Sequence, residues 1–278
     1  MQVPSRILSD MPTTTRSTAL TQMLNKVPEV TLLFWVVKIM STTVGETAAD
    51  FLADNVGLGL TNTSLVMAAL LGAVLVVQFR ARRYIPSVYW LAVVLISVVG
   101  TLISDNLVDN FGVSLWTTTG VFSVCLAATF AAWYRSERTL SIHTIVTGRR
   151  ESFYWLAILF TFALGTSAGD LVAEKLALGY VVSAGIFGLL IALITLAFSK
   201  GGLNAVFAFW TAYILTRPFG ASLGDFLTAA PADGGLGLGT NGTSALFLAV
   251  IVAAVVRFTV LDRAAATPRT VDVVASDA

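Results

Sequence analysis

The sequence predicts an all-α, polytopic membrane protein whose eight transmembrane helices form four parallel two-helix repeats. Two observations carry this prediction: the composition of the chain and a fourfold internal repeat. Of the 278 residues, 56% are hydrophobic and only 12% are charged, whereas soluble domains carry about 25% charged residues. The mean hydropathy of +0.83 is typical of a chain that lies mostly in lipid.

The repeat is marked by a tryptophan that directly follows another aromatic residue. The four pairs are Phe34-Trp35, Tyr89-Trp90, Tyr154-Trp155 and Phe209-Trp210. A glycine stands ten residues after each Trp, and an aspartate stands fifteen residues after it. The glycines are Gly45, Gly100, Gly165 and Gly220, and the aspartates are Asp50, Asp105, Asp170 and Asp225. Four such sets in register indicate a duplicated structural unit.

Each unit contains two segments that are long enough to cross a bilayer, which takes about 17–25 residues of helix. The first segment runs from the Trp to the Asp. The second segments are apolar runs near 63–80, 114–134, 180–199 and 243–261. Because each unit crosses twice, all four units point the same way, and they are parallel rather than inverted repeats.

The same pattern divides the chain into two membrane halves and three polar segments. We expect a cytoplasmic tail at 1–27, repeats one and two at 28–134, and a cytoplasmic linker at 135–151. Repeats three and four then occupy 152–263, and a second cytoplasmic tail occupies 264–278.

Lys and Arg in the short loops predict the orientation, since cytoplasmic loops are enriched in them. The loops between repeats hold Arg80, Arg82, Arg83, Arg135, Arg138, Arg149, Arg150 and Lys200, whereas the loops within repeats hold only Lys175. We therefore expect both termini in the cytoplasm and the protein in a bacterial inner membrane. Each Trp would then anchor at the cytoplasmic interface.

A polar stripe follows one face of the first helix of each repeat, because residues four apart stack on a helix. In repeat one the stripe contains Lys38, Glu46 and Asp50. Such a face avoids lipid and lines a cavity or the bundle interior. We predict that the substrate or ion is bound by Asp50, Asp105, Asp170, Asp225, Glu46, Thr101 and Thr166.

Two cations accompany these acids, and we predict that Lys38 and Arg217 balance their charge. Lys38 lies three residues after Trp35, a position that also favours snorkelling to the interface. Arg217 lies near mid-span and is expected to be a counter-ion to a carboxylate, or an internal cation that a substrate displaces.

Small residues four apart form a neighbouring edge and predict close helix packing. The glycines on this edge are Gly45, Gly100, Gly165, Gly169, Gly220 and Gly224. The alternative is that the helix unwinds at these glycines beside a binding site.

Carboxylates and hydroxyls without a nearby His or Cys form a hard oxygen-ligand set, which suits Mn²⁺, Mg²⁺ or Ca²⁺. We therefore predict a carrier that exchanges a divalent metal for protons, with Asp50, Glu46, Asp105, Asp170 and Asp225 as metal ligands. Its partners would be the lipid bilayer, a small cation and protons, with no nucleic acid and no permanently bound cofactor. Clustered carboxylates in a low-dielectric medium repel one another, which favours protonation of some of them.

Other functions fit parts of the pattern. An acidic ring suits a cation channel, organic cations could replace the metal, and a passive scaffold remains an alternative. An intramembrane aspartyl protease would need a Gly-x-Gly-Asp sequence, and Ser222-Leu223-Gly224-Asp225 lacks the first glycine. No Ser-His or Cys-His nucleophile lies within the predicted spans, so we expect no enzyme.

The fourfold aromatic-Trp, Gly and Asp pattern resembles a bacterial family of membrane proteins described only as a repeat of unknown function. The resemblance covers residues from about 29 to 262. It implies a multi-pass membrane protein built from four copies of the repeat, and it implies no activity.

Overall fold

The computed structural model describes residues 25–266, and within them it contains eight long α-helices and no β-strand. The helices are α1 Leu32–Asp50, α2 Gly59–Arg80, α3 Pro86–Asp105, α4 Leu115–Glu137, α5 Gly148–Asp170, α6 Gly179–Gly201, α7 Ala205–Thr228 and α8 Thr240–Ala266. Most of the two tails predicted from the sequence lies outside the described residues.

Local sequence signals set where the helices begin. The hydroxyl of Thr31 accepts a hydrogen bond from the Phe34 amide at the start of α1, and Ser114 does the same for the Thr117 amide at α4. Asn204 accepts from the amides of Val206 and Phe207 at α7. These side chains satisfy amides that have no partner inside the helix.

The odd-numbered helices form a closed inner ring, in which α1 packs on α3, α3 on α5, α5 on α7, and α7 on α1. The glycine ten residues after each Trp makes each of these contacts close. A Cβ on Gly45 would overlap the side chain of Ser97, and a Cβ on Gly100 would lie 2.5 Å from the Cβ of Phe162. Overlaps with the next helix recur twice more around the ring, at Gly165 with Arg217 and at Gly220 with Thr42.

The glycines one turn later are packed less closely against the next helix. A Cβ on Gly224 would lie 3.0 Å from the Thr43 side chain, and one on Gly169 would lie 3.7 Å from Pro218. Both glycines nevertheless lie at inner-ring contacts. The inner helices continue as helix through all six predicted packing glycines, so the alternative of an unwound helix at these positions is wrong for this structure.

The even-numbered helices lie outside the ring, each against the inner helix of the next repeat. Thus α2 packs on α3, α4 on α5, α6 on α7, and α8 on α1. Their outer faces expose large apolar side chains such as Leu65, Val124, Leu189 and Leu246. An apolar surface of this extent marks contact with lipid or another apolar partner.

By length and composition, six of the described helices are able to cross a membrane: α2, α3, α4, α5, α6 and α8. Neither α1 nor α7 is among the six. These two helices carry Lys38, Glu46 and Arg217, which reduce their hydropathy. The all-helical, membrane-type architecture is thus confirmed.

The prediction that the repeat tryptophans anchor at the membrane interface is wrong for three of them. Trp90, Trp155 and Trp210 are 1%, 4% and 5% exposed. They pack among neighbouring rings, and Trp90 stacks on Phe258 of α8 with centroids 6.1 Å apart. Their large apolar rings are buried between helices, where aromatic pairs stabilise packing.

Candidate functional site

One cavity of about 370 Å³ opens at one end of the inner ring, and acidic residues from all four inner helices line it. Its inner tier consists of Asp50, Asp105, Asp170 and Asp225, the aspartates fifteen residues after each Trp. All four are partly exposed. Within residues 25–266, no hydrogen bond or ion pair occupies their carboxyl groups. They are therefore free to bind a ligand that enters the cavity.

An outer tier of Asp54, Asp109 and Glu174 lies at the mouth and is exposed. Each of these residues lies in a π-helical turn that begins directly after the inner aspartate, at Phe51–Asn55, Asn106–Asn110 and Leu171–Lys175. The wider turns are visible in the bonds from the amides of Val56, Phe111 and Leu176 to carbonyls five residues earlier. Helix α7 has neither this turn nor the acid, since Ala229 takes the fourth place.

The floor of the cavity is an ion pair between Glu46 and Arg217. Arg217 Nη2 lies 2.6 Å from Glu46 Oε2, and the side chains are 0% and 8% exposed. Arg217 Nη2 also donates to Thr166 Oγ1 at 2.6 Å and to the hydroxyl of Thr101. Thr101 donates in turn to Glu46 Oε2 at 3.1 Å. Glu46, Thr101 and Thr166 occupy the same place in their repeats, eleven residues after the Trp.

The residues predicted to bind the substrate fall into two groups, one around the cavity and one beneath it. Glu46 and the four aspartates come together around one cavity, whereas Thr101 and Thr166 bond Arg217 beneath it. Arg217 is the counter-ion of Glu46, one of the two roles that the sequence suggested. Lys38 has no ion pair with any described carboxylate, so a charge-balancing role is not visible in its contacts.

Lys38 is 1% exposed, which contradicts the snorkelling interpretation. Its Nζ donates to Thr42 Oγ1 at 3.1 Å and lies 4.2 Å and 4.4 Å from the ring centroids of Phe162 and Tyr213. Cation–π contacts of this kind stabilise a desolvated cation. The Lys38 amine is held inside the ring because the large side chains around it close the bundle there.

The end of the inner ring away from the cavity is closed by aromatic side chains. The hydroxyls of Tyr89 and Tyr154 lie 2.5 Å apart and are buried. Phe34 packs beside them on Trp90 and Tyr213. No role was predicted for this tier, although the fixed place of its aromatic residues directly before each Trp is a signal that could have revealed it.

The acids are not gathered as the metal prediction expects. In the part of the chain that the structure describes, no three His, Cys, Asp or Glu side chains are placed so that they could hold a metal ion. The carboxyl groups instead surround a space much larger than one ion. A second cavity of about 580 Å³ between α1, α6 and α7 is mainly apolar, and His143 is its one ionisable lining residue.

A closed inner ring, an apolar outer shell and an acidic cavity that opens at one end of the ring define a helical membrane protein built from repeats. The chain belongs to the family described as Repeat of Unknown Function (DUF347), whose model matches residues 33–84, 88–139, 153–200 and 208–264. The prediction of four repeat copies is thus confirmed, and each matched range contains most of one inner and one outer helix. No curated protein and no solved structure matches the chain.

Proposed function

We propose that this protein is a carrier that moves cations across a membrane and binds them in the acidic cavity. The observation that carries the proposal is the cavity itself, which eight carboxyl groups line. One guanidinium lies at the floor, paired with one of those carboxyl groups. A space with this excess of acids attracts cations and repels anions. Membrane-embedded acids that point into a cavity commonly mark ion pathways.

All eight helices cross the membrane in this proposal, as four parallel pairs. The support comes from packing, because α1 and α7 close the same ring as α3 and α5 and their charged side chains lie inside it. Arg and Lys in the loops between repeats support an orientation with both termini on the cytoplasmic side of a bacterial inner membrane. The cavity then opens to the outside.

A carrier fits better than a channel because the ring is closed beneath the cavity. The Glu46–Arg217 pair lies across the floor, and the bulky side chains of Phe162 and Tyr213 and the Tyr89–Tyr154 pair are buried in the ring below it. An ion would need a conformational change to pass, which is the defining step of alternating access. The single copies of Glu46 and Arg217 also differ from the symmetric ring of a channel filter.

The transported substrate is a cation that the hard carboxylate oxygens bind, and protons move across the membrane in the opposite direction. Mn²⁺, Mg²⁺ and Ca²⁺ suit these oxygens. Because no three acids among the described residues are placed to hold one metal ion, a divalent ion in this conformation would keep several of its waters, as Mg²⁺ usually does. A small organic cation is the alternative that the size of the cavity favours. In this proposal the chain has no enzymatic activity and no permanent cofactor.

The test is transport by purified protein in proteoliposomes with an internal pH reporter. The cations are Mn²⁺, Mg²⁺, Ca²⁺ and methylammonium. The parent is compared with the double variant Asp50→Asn, Asp170→Asn, and with Glu29→Gln, which changes an exposed acid outside the cavity. We expect cation uptake with opposing proton movement, lost in the double variant and retained in Glu29→Gln. Absence of flux for every cation in the folded parent protein overturns the proposal.

A further inference from the structure

Lys38 is a buried cation, and no carboxylate in the described part of the chain forms an ion pair with it. Glu46, the nearest carboxylate toward the cavity, is already bound by Arg217 at 2.6 Å. Thr42 Oγ1 is the single hydrogen-bond acceptor that the described residues provide for Lys38 Nζ. A buried ammonium without an anionic partner is strongly disfavoured.

Lys38 and Arg217 also approach the same ring. The Phe162 centroid lies 4.2 Å from Lys38 Nζ and 5.5 Å from Arg217 Cζ. An arginine keeps its proton in proteins, whereas a buried lysine is able to release it. Of the two neighbouring cations, Lys38 is therefore the one whose charge can change.

The helices packed around Lys38 supply few other ionisable groups. Helix α7 supplies Arg217 and Tyr213, and α1 supplies Glu46 two turns away. At the levels of Lys38 and Thr42, the inward positions of α3 and α5 carry Val93, Ser97, Ile158 and Phe162. Helix α8 presents the apolar Ile251 and Ala254. Tyr89 and Tyr154 lie one turn further from the cavity.

Several buried polar atoms in these same tiers have no partner in the described residues. They are the hydroxyls of Ser97 and Tyr213 and the Nε and Nη1 atoms of Arg217, all on side chains that are fully buried. Buried polar groups of native proteins are normally satisfied, by internal water where protein partners are absent. Waters bound at these atoms would lie in the tiers between the cavity floor and the Tyr89–Tyr154 pair.

We propose that Lys38 is the proton carrier in the closed part of the ring, which lies between the Glu46–Arg217 floor and the Tyr89–Tyr154 pair. It takes up and releases the coupled proton between the acidic cavity and the tyrosine end, through internal waters at Ser97, Tyr213 and Arg217. The inference rests on the proposed transport function and adds to it a proton route that is separate from the cation site. The proton moves as such from water to amine and back, so no other reactant is needed.

The charge of Lys38 is directly measurable because the chain contains only four lysines, Lys26, Lys38, Lys175 and Lys200. Protein labelled with ¹³C and ¹⁵N on lysine is studied by NMR in detergent or nanodiscs, and the signal that is missing in Lys38→Met is assigned to Lys38. Lys38→Gln provides a second assignment if Lys38→Met does not fold. Lys175→Met, which changes an exposed lysine, serves as the control.

We expect the Lys38 signal to move with pH over a range in which the exposed lysines remain charged. In proteoliposomes, Lys38→Met and the permanently charged Lys38→Arg should lose pH-gradient-driven uptake by about tenfold or more. Cation–cation exchange, which needs no net proton movement, should persist in Lys38→Met.

The possible failures are distinguishable. A Lys38 signal that stays charged with the exposed lysines overturns the inference and leaves the transport proposal intact. Unchanged pH-gradient-driven uptake in Lys38→Met has the same meaning. Absence of any flux in the parent overturns both the transport function and the coupling role, whatever the NMR result.

Discussion

Removing the charge of Glu46 should destabilise the protein more than removing the charge of Arg217. The two side chains form the ion pair at the cavity floor, and their environments differ. Glu46 lines the cavity, so water can reach it when its partner is lost. Arg217 is 0% exposed and keeps its charge in any environment.

The magnitudes follow from that asymmetry. Glu46→Gln leaves a buried, uncompensated guanidinium, and breaking a buried pair in this way costs about 3–5 kcal/mol. Arg217→Gln removes charge-assisted hydrogen bonds but leaves a carboxyl group that cavity water can hydrate, and we expect a loss of about 1.5–3 kcal/mol. The double variant should lose less than the sum of the two, because neither charge is then left alone.

The assay is the free energy of unfolding in mixed micelles, from denaturing-detergent titrations followed by tryptophan fluorescence. Arg149→Gln is the control. It breaks the ion pair of Arg149 with Glu137 at 3.6 Å, in which Arg149 is 70% exposed, and it should leave stability unchanged within error. The reasoning is refuted if Arg217→Gln proves as costly as Glu46→Gln or costlier, or if both match the control.

Two further predictions concern packing and a buried hydrogen bond. Gly100→Ala should lower the free energy of unfolding by about 1–3 kcal/mol, because its Cβ would meet the Cβ of Phe162 at 2.5 Å and backbone atoms behind it. Gly72→Ala on the outer helix α2, where the added Cβ meets nothing, should instead raise it by about 0.5–1 kcal/mol; equal effects in the same detergent titration would contradict the ring packing. Tyr154→Phe should cost about 1–3 kcal/mol because it leaves the Tyr89 hydroxyl buried without its partner, whereas the double Phe variant should be close to the parent. An additive double variant would show that the 2.5 Å contact does not stabilise the fold.

The acidic cavity could be predicted from the sequence because its aspartates share one offset from a conspicuous Trp. A residue fifteen positions after Trp35 must lie at the same height as one fifteen positions after Trp90 if both segments are helices. Asp50, Asp105 and their equivalents were therefore predicted to lie at one level. They do line one cavity, because the offset depends only on helix geometry.

Other features depend on which helices are neighbours, and periodicity within a helix carries no such information. The contact of Gly165 with Arg217 and the closure of α7 on α1 belong to this class. The burial of Trp90 was mispredicted for the same reason, since an interfacial and an interhelical tryptophan have the same spacing. The π-helical turns escaped prediction because the sequence after each aspartate reads equally well as ordinary helix.

The closed inner ring brings one position from each repeat to every level of its centre. Four identical subunits around such an axis would be forced to present four copies of whatever stands at each level. Four guanidinium groups at the level of Arg217 would repel one another and compete for the same acceptors. Joining the repeats into one polypeptide removes that constraint, because one glutamate, one arginine and two threonines can meet where identical subunits would place four of one kind. Covalent fusion thus allows the four repeats to contribute different polar side chains to the centre of the ring.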